Sequence, residues 1–531
     1  MDVRKRSGRS IVVFATGGLA TWLLVTGAAA GRWDFTLTSA QRRALATVSP
    51  SSLQAHVSFL AANALDGRGA GTQSLEVAAE YIASEFRGAG LTPAGDDGYF
   101  QTTPRVRMSP SPDGYQCLIA VDGRTVDVPA RQFAAVTMFG GVGPAMRELH
   151  LDRAPIYKIP FGGTVPDRLP DARRTVVITD SPASPTERSE MQAFVARRAQ
   201  FASKLAALEP ALIVEVRRDA ARARDYFATS VLMDPDIKPR PVPGPPIVAL
   251  NGDAGTGAYD GMPAGPTNAL FTAHVNAPVS TSAPQHNVIG VLPGSDPVLV
   301  HTYVLVTAHY DGQGTRPGAD PIWNSANDNG SGTATVVALA AALSGLQKRP
   351  RRSIAFVAFH GEESGLVGSR YYAQHPLFPL EKTAADLNIE MVGRTDDTEG
   401  DQHGRASVTG FDYSDVGEIF RRAGVLTGIT VFKHPKNSDP YFMASDNQAL
   451  ANLGVPAHTV CVTFQYPDYH GADDTWQKID YENMARTVRM IGTALIGIAD
   501  SRQEPRWDPA VSRASRFLAA WKKLHGAAQR P

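Results

Sequence analysis

Near the start of the chain the apolar positions recur every three to four residues. In SPSSLQAHVSFLAANAL the residues Leu53, Val57, Leu60 and Leu65 fall on one face, which predicts a helix capped by Ser51 or Ser52. After the glycine-rich turn DGRGAGT, the stretch SLEVAAEYIASEFRGAGL predicts a second helix, with Val77, Tyr81, Ile82 and Phe86 in one stripe and Gly88 and Gly90 marking its end. From about residue 101 to 280 the pattern changes to short β-like runs, YQCLIAV, TVVITD, ALIVEV and PIVAL, separated by proline-rich connectors such as KPRPVPGPP. One helical segment, MQAFVARRAQFASKLAALEP, sits among them, and the whole predicts an inserted β-rich domain. Beyond it, HNVIGVLPGSDP, TYVLVTAHYD, SIAFVAF and VPAHTVCV alternate with helical stretches such as TATVVALAAALSGL, as strands and helices do in a doubly wound α/β sheet. The end, SRFLAAWKKLHGAAQRP, predicts a terminal basic amphipathic helix, docked or solvated rather than in contact with a membrane.

The first thirty residues break these patterns. Arg4, Lys5, Arg6 and Arg9 precede IVVFATGGLATWLLVTG and then Ala28, Ala29 and Ala30, the order of charged, apolar and small residues that marks an export signal. Residues 1–30 are therefore set apart from the fold, with a periplasmic or secreted protein as the expectation. If the segment is retained, residues 10–30 become a membrane anchor, since the apolar run is near the lower length for a span. The 52 basic and 52 acidic side chains cancel, which removes the usual electrostatic reason to expect nucleic acid as a partner. Only Cys117 and Cys461 could form a disulfide, and they fall in different predicted domains.

The candidate chemistry lies on the loops that follow the strands, where open α/β sheets collect their active groups. TYVLVTA runs into His309, Tyr310 and Asp311; SIAFVAF into Glu362 and Glu363; DLNIEMVG carries Glu390; and YPDYHGADDT carries His470. SANDNGSG places Asp328 just before a predicted helix. Each signal alone is weak. Two histidines and several carboxylates on loops of one sheet match a pair of divalent cations held by imidazole and carboxylate donors.

The series AHYD, NDNGSG, GEESG, NIEMVG and DYHGADDT resembles the zinc metallopeptidases of the bacterial leucyl aminopeptidase and glutamate carboxypeptidase type. FLAANALDGRGAGT and AAEYIASEFRGAGLTPAGDDGYFQ are similar to the amino-terminal part of such enzymes, and 101–280 to the protease-associated insert that some of them carry. The resemblance implies a zinc-peptidase domain over 36–100 and 281–500, the insert over 101–280 and a tail helix over 501–531. It implies two Zn²⁺ ions, or other divalent metals with the same donor preference. His309 and Glu390 would then serve one ion, Glu363 and His470 the other, and Asp328 would bridge them. Glu362 would be the general base. Asp311 would stand behind His309 and accept its second ring N–H, and Tyr469 would line the substrate pocket together with the region of Ser445, Asp446 and Asn447. A cis peptide between Asp328 and Asn329 is also implied. One departure is Glu390, where many members have aspartate.

The expected activity is removal of residues from peptide ends, with an aminopeptidase as the first reading. A glutamate carboxypeptidase-like enzyme is the alternative, with Arg394 and Arg370 as candidate partners for a substrate carboxylate. Glutaminyl cyclisation fits less well, because those relatives generally work with a single zinc. A non-catalytic binding protein on the same scaffold is opposed by the intact base and ligand set.

Overall fold

The computed structural model describes residues 33–527 apart from 137–141, 144–147, 183–187, 219–224, 237–243 and 317–319. The expected export segment and the last four residues of the tail lie outside the described residues. Two nine-stranded sheets dominate the molecule. In the first, the order is Thr92–Pro93, Gln285–Leu292, Ser353–Phe359, Tyr303–His309, Thr383–Ile389, Ala457–Cys461, Arg405–Val408 and Thr430–Phe432, with Phe100–Thr103 also paired to Gln285–Leu292. The four strands from Ser353–Phe359 to Ala457–Cys461 run parallel, so their carboxyl ends share one edge.

These central strands are apolar on both faces, as parallel strands covered by helices must be. Val304, Val306, Ala308, Ile354, Phe356 and Ala358 pack on one side, with helices Pro50–Leu60, Ser331–Ser344 and Tyr481–Ala499. The alternate residues Leu305, Ala355, Val357 and Phe359 face the other side, where Tyr372, Phe442 and Leu450 are buried. The tail helix Ser515–Ala527 docks on that second layer through Phe517, which stacks on Trp507.

The second sheet runs from Tyr115 to Val275 and is mixed, with its own core around Cys117, Ile119, Phe133 and Phe271. Strand Phe100–Thr103, which spans the boundary expected at residue 101, pairs with Gln285–Leu292 of the first sheet. A three-stranded sheet of Val106–Ser109, Val231–Met233 and Val279–Ser282 lies where the chain passes between the two. Cys117 and Cys461 are both buried and free. Among the described residues no helix is long and apolar enough to cross a membrane.

Three local expectations need correction. The first long helix is capped by Ser49, in a capping box with Ser52, because Pro50 fills the first helical position, where its missing N–H is harmless. Leu65 lies past that helix in a separate turn. In the helix Gln73–Gly88 the buried face is Leu75, Ala78, Ala79, Ile82, Ala83 and Phe86, while Val77 is 42% exposed. Counting only large side chains rotated the predicted stripe away from the small alanines that allow close packing.

Strand Thr383–Ile389 also buries the polar side chains of Thr383, Asp386 and Asn388. Thr307 donates to Asp386 Oδ1 at 2.9 Å, and Oδ2 has no hydrogen-bond partner. Burial pushes this carboxyl up to about 8, with repulsion from Asp446 adding to the effect and the Thr307 bond opposing it. Between the ordinary aspartate value and about 8, the folded protein keeps a proton that the unfolded chain releases. Raising the pH through that window therefore costs stability. Asp386→Asn, which imitates the protonated form, is expected to flatten the fall in melting temperature between pH 5 and pH 9. An unchanged slope would show that Asp386 is not held neutral.

Candidate metal centre and active site

The parallel strands deliver their chemistry to one edge. His309 is the last residue of its strand, Glu362 and Glu363 follow Phe359 by three and four positions, and Glu390 follows Ile389 directly. Asp328 sits in an irregular turn before helix Ser331–Ser344, and the Asp328–Asn329 peptide is cis. His470 enters from the loop after Ala457–Cys461 with φ of 52°, a left-handed conformation uncommon for residues other than glycine.

These residues form two groups that share one member. His309 Nε2 lies 3.4 Å from Asp328 Oδ1 and 3.4 Å from Glu390 Oε1. On the other side, His470 Nε2 lies 3.0 Å from Asp328 Oδ2 and 3.5 Å from Glu363 Oε2. Asp328 thus turns one oxygen to each group, and each group gathers three donors within the span of one cation. Glu362 belongs to neither group, although it lines the same cleft.

The surrounding charge explains why cations suit these residues. Burial pulls the His309 imidazole down, but Asp311, Asp328, Glu362 and Glu390 outweigh it and hold the ring well above its ordinary range. Burial also opposes protonation of His470, yet its contacts with Asp328 and Glu363 raise it to about 10. Glu362 is held well above the usual carboxylate range by burial and by repulsion from Glu390, Asp446 and Glu363, against attraction from His309. Glu363 is raised by burial and by Asp328. Asp328 alone is held low: its contacts with both imidazoles overcome its burial. A concentrated acid cluster is seeking positive charge, which a pair of divalent ions supplies. His309 Nε2 and Glu363 Oε1 are buried without a hydrogen-bond partner, so the donor set fits such ions.

The supporting groups carry further tasks. His309 Nδ1 is 3.3 Å from the main-chain oxygen of Asp311 and 3.5 Å from its carboxylate. The Asp311 carboxylate also accepts the main-chain N–H groups of Glu362 and Glu363, at 3.1 and 3.2 Å, and so fixes the direction of the acid pair. Asp474, which no motif singled out, accepts the N–H groups of Asn327 and Asp328 and the Tyr466 hydroxyl. Gln313 donates to Glu363. Fully buried Arg68 donates to the main-chain oxygens of Leu60, Tyr310, Asn324 and Ser325, beneath the acids. Burial lowers its pKa to about 10 against the pull of Asp311, Asp474, Asp328 and Glu363, so it stays charged at neutral pH.

The cleft above the two groups has a volume of about 330 Å³. Asp328, Glu362, Glu363 and Glu390 share its lining with Leu366, Met391, Tyr441 and Ala444. Tyr469 is at the rim, its ring stacked on His470 with centroids 4.0 Å apart. Neither Arg394 nor Arg370 reaches the cleft. Arg394 is buried in ion pairs with Asp396 and Asp468, and Arg370 points to Gln448 on the exposed side. Asp446 lies buried behind the site rather than in its wall, and Asn447 is occupied with Phe442 and Thr459.

Comparison with known proteins gives the same picture. The family model described as Peptidase family M28 matches residues 287–495. The chain is 35% identical over 114 residues to aminopeptidase YwaD of Bacillus subtilis (strain 168), a match covering 21% of this chain and 23% of that protein. It is 32% identical over 124 residues to leupeptin-inactivating enzyme 1 of Streptomyces exfoliatus, covering 23% and 26%. The matched stretch spans about a quarter of the length of these relatives. Among solved structures, an aminopeptidase from Aneurinibacillus sp. strain AM-1 aligns over 89% of this chain and 97% of its own, with 16% identity and a TM-score of 0.51. BSAP, a zinc aminopeptidase from Bacillus subtilis, aligns over 84% and 94%, with 21% identity and the same TM-score. At those identities the structures speak to the fold. Fold, motif series and matched segment agree: residues 287–495 form a metallopeptidase domain similar to peptidase family M28.

Proposed function

We propose that the protein is a zinc-dependent aminopeptidase, exported through residues 1–30, that removes amino-terminal residues from peptides. The observation that carries this reading is the pair of donor groups sharing Asp328, set in a cleft whose charged lining is acidic apart from His470. His309 and Glu390 would hold one zinc ion, Glu363 and His470 the other, and Asp328 would bridge them. When bound, such a pair supplies Lewis acidity at the scissile carbonyl and makes water a nucleophile at neutral pH.

The remaining steps fall to side chains. Glu362 accepts the proton of the attacking water and returns it to the departing amine nitrogen. Asp311, holding the main chain of the acid pair, keeps that carboxylate aimed at the cleft. The acidic lining attracts the free ammonium of a peptide and repels a terminal carboxylate. The Tyr469 phenol is pushed up by burial and by the nearby carboxylates, so it remains a donor for the developing oxyanion. The apolar residues in the lining, Leu366, Met391 and Ala444, accommodate the side chain being released. The second sheet is read as a protease-associated-like insert beside the catalytic domain, in keeping with its position in the chain.

The test is a substrate pair. Zinc-loaded protein is expected to hydrolyse leucyl p-nitroanilide, to lose at least 100-fold in kcat/KM when the amine is acetylated, and to lose activity to a chelator with recovery on adding Zn²⁺. Cleavage of amino-blocked peptides with a free carboxyl-terminal glutamate, without action on the aminoacyl substrate, would favour the carboxypeptidase alternative.

A further inference from the structure

The second sheet brings His274 together with His150 and Asp152, two side chains that lie 122 or more positions earlier in the sequence. His150 and Asp152 lie on strand Leu149–Lys158, and His274 lies on strand Gly265–Val275 directly opposite His150 in the antiparallel register. The two imidazoles stack with centroids 4.4 Å apart and planes within 10°. His274 Nε2 is 2.8 Å from Asp152 Oδ1, and His150 Nε2 is 3.4 Å from Asp152 Oδ2.

We propose that His150, Asp152 and His274 form a zinc-type metal site on the outer face of the inserted sheet. A single Zn²⁺ with bonds of about 2.0–2.2 Å needs donors spaced by roughly 3.3 Å around a tetrahedron. The three donor atoms all lie within 4.8 Å of one another, close enough for a rotamer adjustment to complete that spacing. Two imidazoles and a carboxylate select a borderline transition ion such as Zn²⁺, Cu²⁺ or Ni²⁺ over Ca²⁺ or Mg²⁺. With three protein donors, the fourth position stays open to water.

The local backbone favours the arrangement. Alternation places His150 and Asp152 on one face while Leu149 and Leu151 turn inward. A bulge sets Asp152 and Arg153 against the single residue Thr272. Arg153 takes a φ of 47° there and donates its main-chain N–H to Thr272 Oγ1 at 3.1 Å. Bulges re-aim side chains, and this one lies beside the carboxylate that meets both rings. A bound ion would clamp the two strands at the point where the second of them carries the chain back towards the catalytic sheet.

Full-length protein is stripped with a chelator and equilibrated with Zn²⁺ alone at buffered free concentrations, and bound zinc is counted for the parent and for His150→Ala/His274→Ala. The double variant is expected to bind one equivalent fewer, whatever the occupancy of the catalytic groups, and to keep its rate on leucyl p-nitroanilide within twofold. Matching melting temperatures of the metal-free forms check that the variant folds. As a second readout, Cu²⁺ added to His309→Ala/His470→Ala is expected to give a spin-resonance spectrum with two nitrogen donors. Equal zinc counts in parent and double variant, or no nitrogen-coordinated copper in the active-site variant, would overturn the proposal. Failure of the aminoacyl assay alone would count against the proposed activity and leave the zinc count standing.

Discussion

Glu362→Gln is expected to lower kcat on an aminoacyl substrate by roughly 10³-fold, about 4 kcal/mol of barrier, with zinc content unchanged. The two halves of this expectation come from different observations. Turnover falls because glutamine cannot take a proton from water or deliver one to the leaving amine. Zinc is retained because Glu362 stands outside both donor groups. Stability should also hold, since burial and neighbouring acids favour the neutral form of this side chain and glutamine is already neutral. Steady-state kinetics, metal analysis and thermal melting on the same preparation separate these effects. A variant within tenfold of the parent rate would remove Glu362 from the role of base, and a loss of zinc would make it a ligand.

Asp328→Ala should have the larger consequence for the metal. Asp328 directs Oδ1 towards His309 and Oδ2 towards His470, so truncation takes one donor from each group at once and leaves two in each. Both catalytic ions are expected to be lost at concentrations that saturate the parent, and activity with them. Any rise in melting temperature that these ions give the parent should vanish as well, because a ligand stabilises only the state that binds it. His470→Ala is the control: it touches one group and should cost one equivalent. If Asp328→Ala keeps both ions tightly bound, the bridging assignment is wrong.

The catalytic sheet was legible because parallel strands buried on both faces leave long apolar runs, and their ends carry the chemical side chains directly. The eight residues of the candidate site fall within short motifs for the same reason. What escaped the sequence were side chains that act on distant main chain. Asp474 holds the amides of Asn327 and Asp328 from nearly 150 positions away, and Arg68 reaches the carbonyls of Tyr310 and Ser325 across 242 and 257. Bonds to N–H and carbonyl groups impose no residue type on the partner, so no spacing records them. The helix stripe around Val77 failed differently, since alanines pack a close interface without the bulk that draws the eye. The His150, Asp152 and His274 cluster depends on strand pairing, which no motif within either segment reveals.

Arg68 sets an order of assembly. It lies 242 positions before Tyr310 and 257 before Ser325, with the second sheet in between. In a chain made from its amino terminus, this guanidinium can meet the Leu60 carbonyl early, but its other three partners emerge only after the insert has been synthesised. The segment 287–495 that defines the family omits this arginine, so excised alone it would leave the carbonyls of Tyr310, Asn324 and Ser325 without their donor. The motifs can be read from that segment, but the candidate site belongs to both limbs of the chain and is complete only after the amino-terminal limb has been joined by the last of its partners.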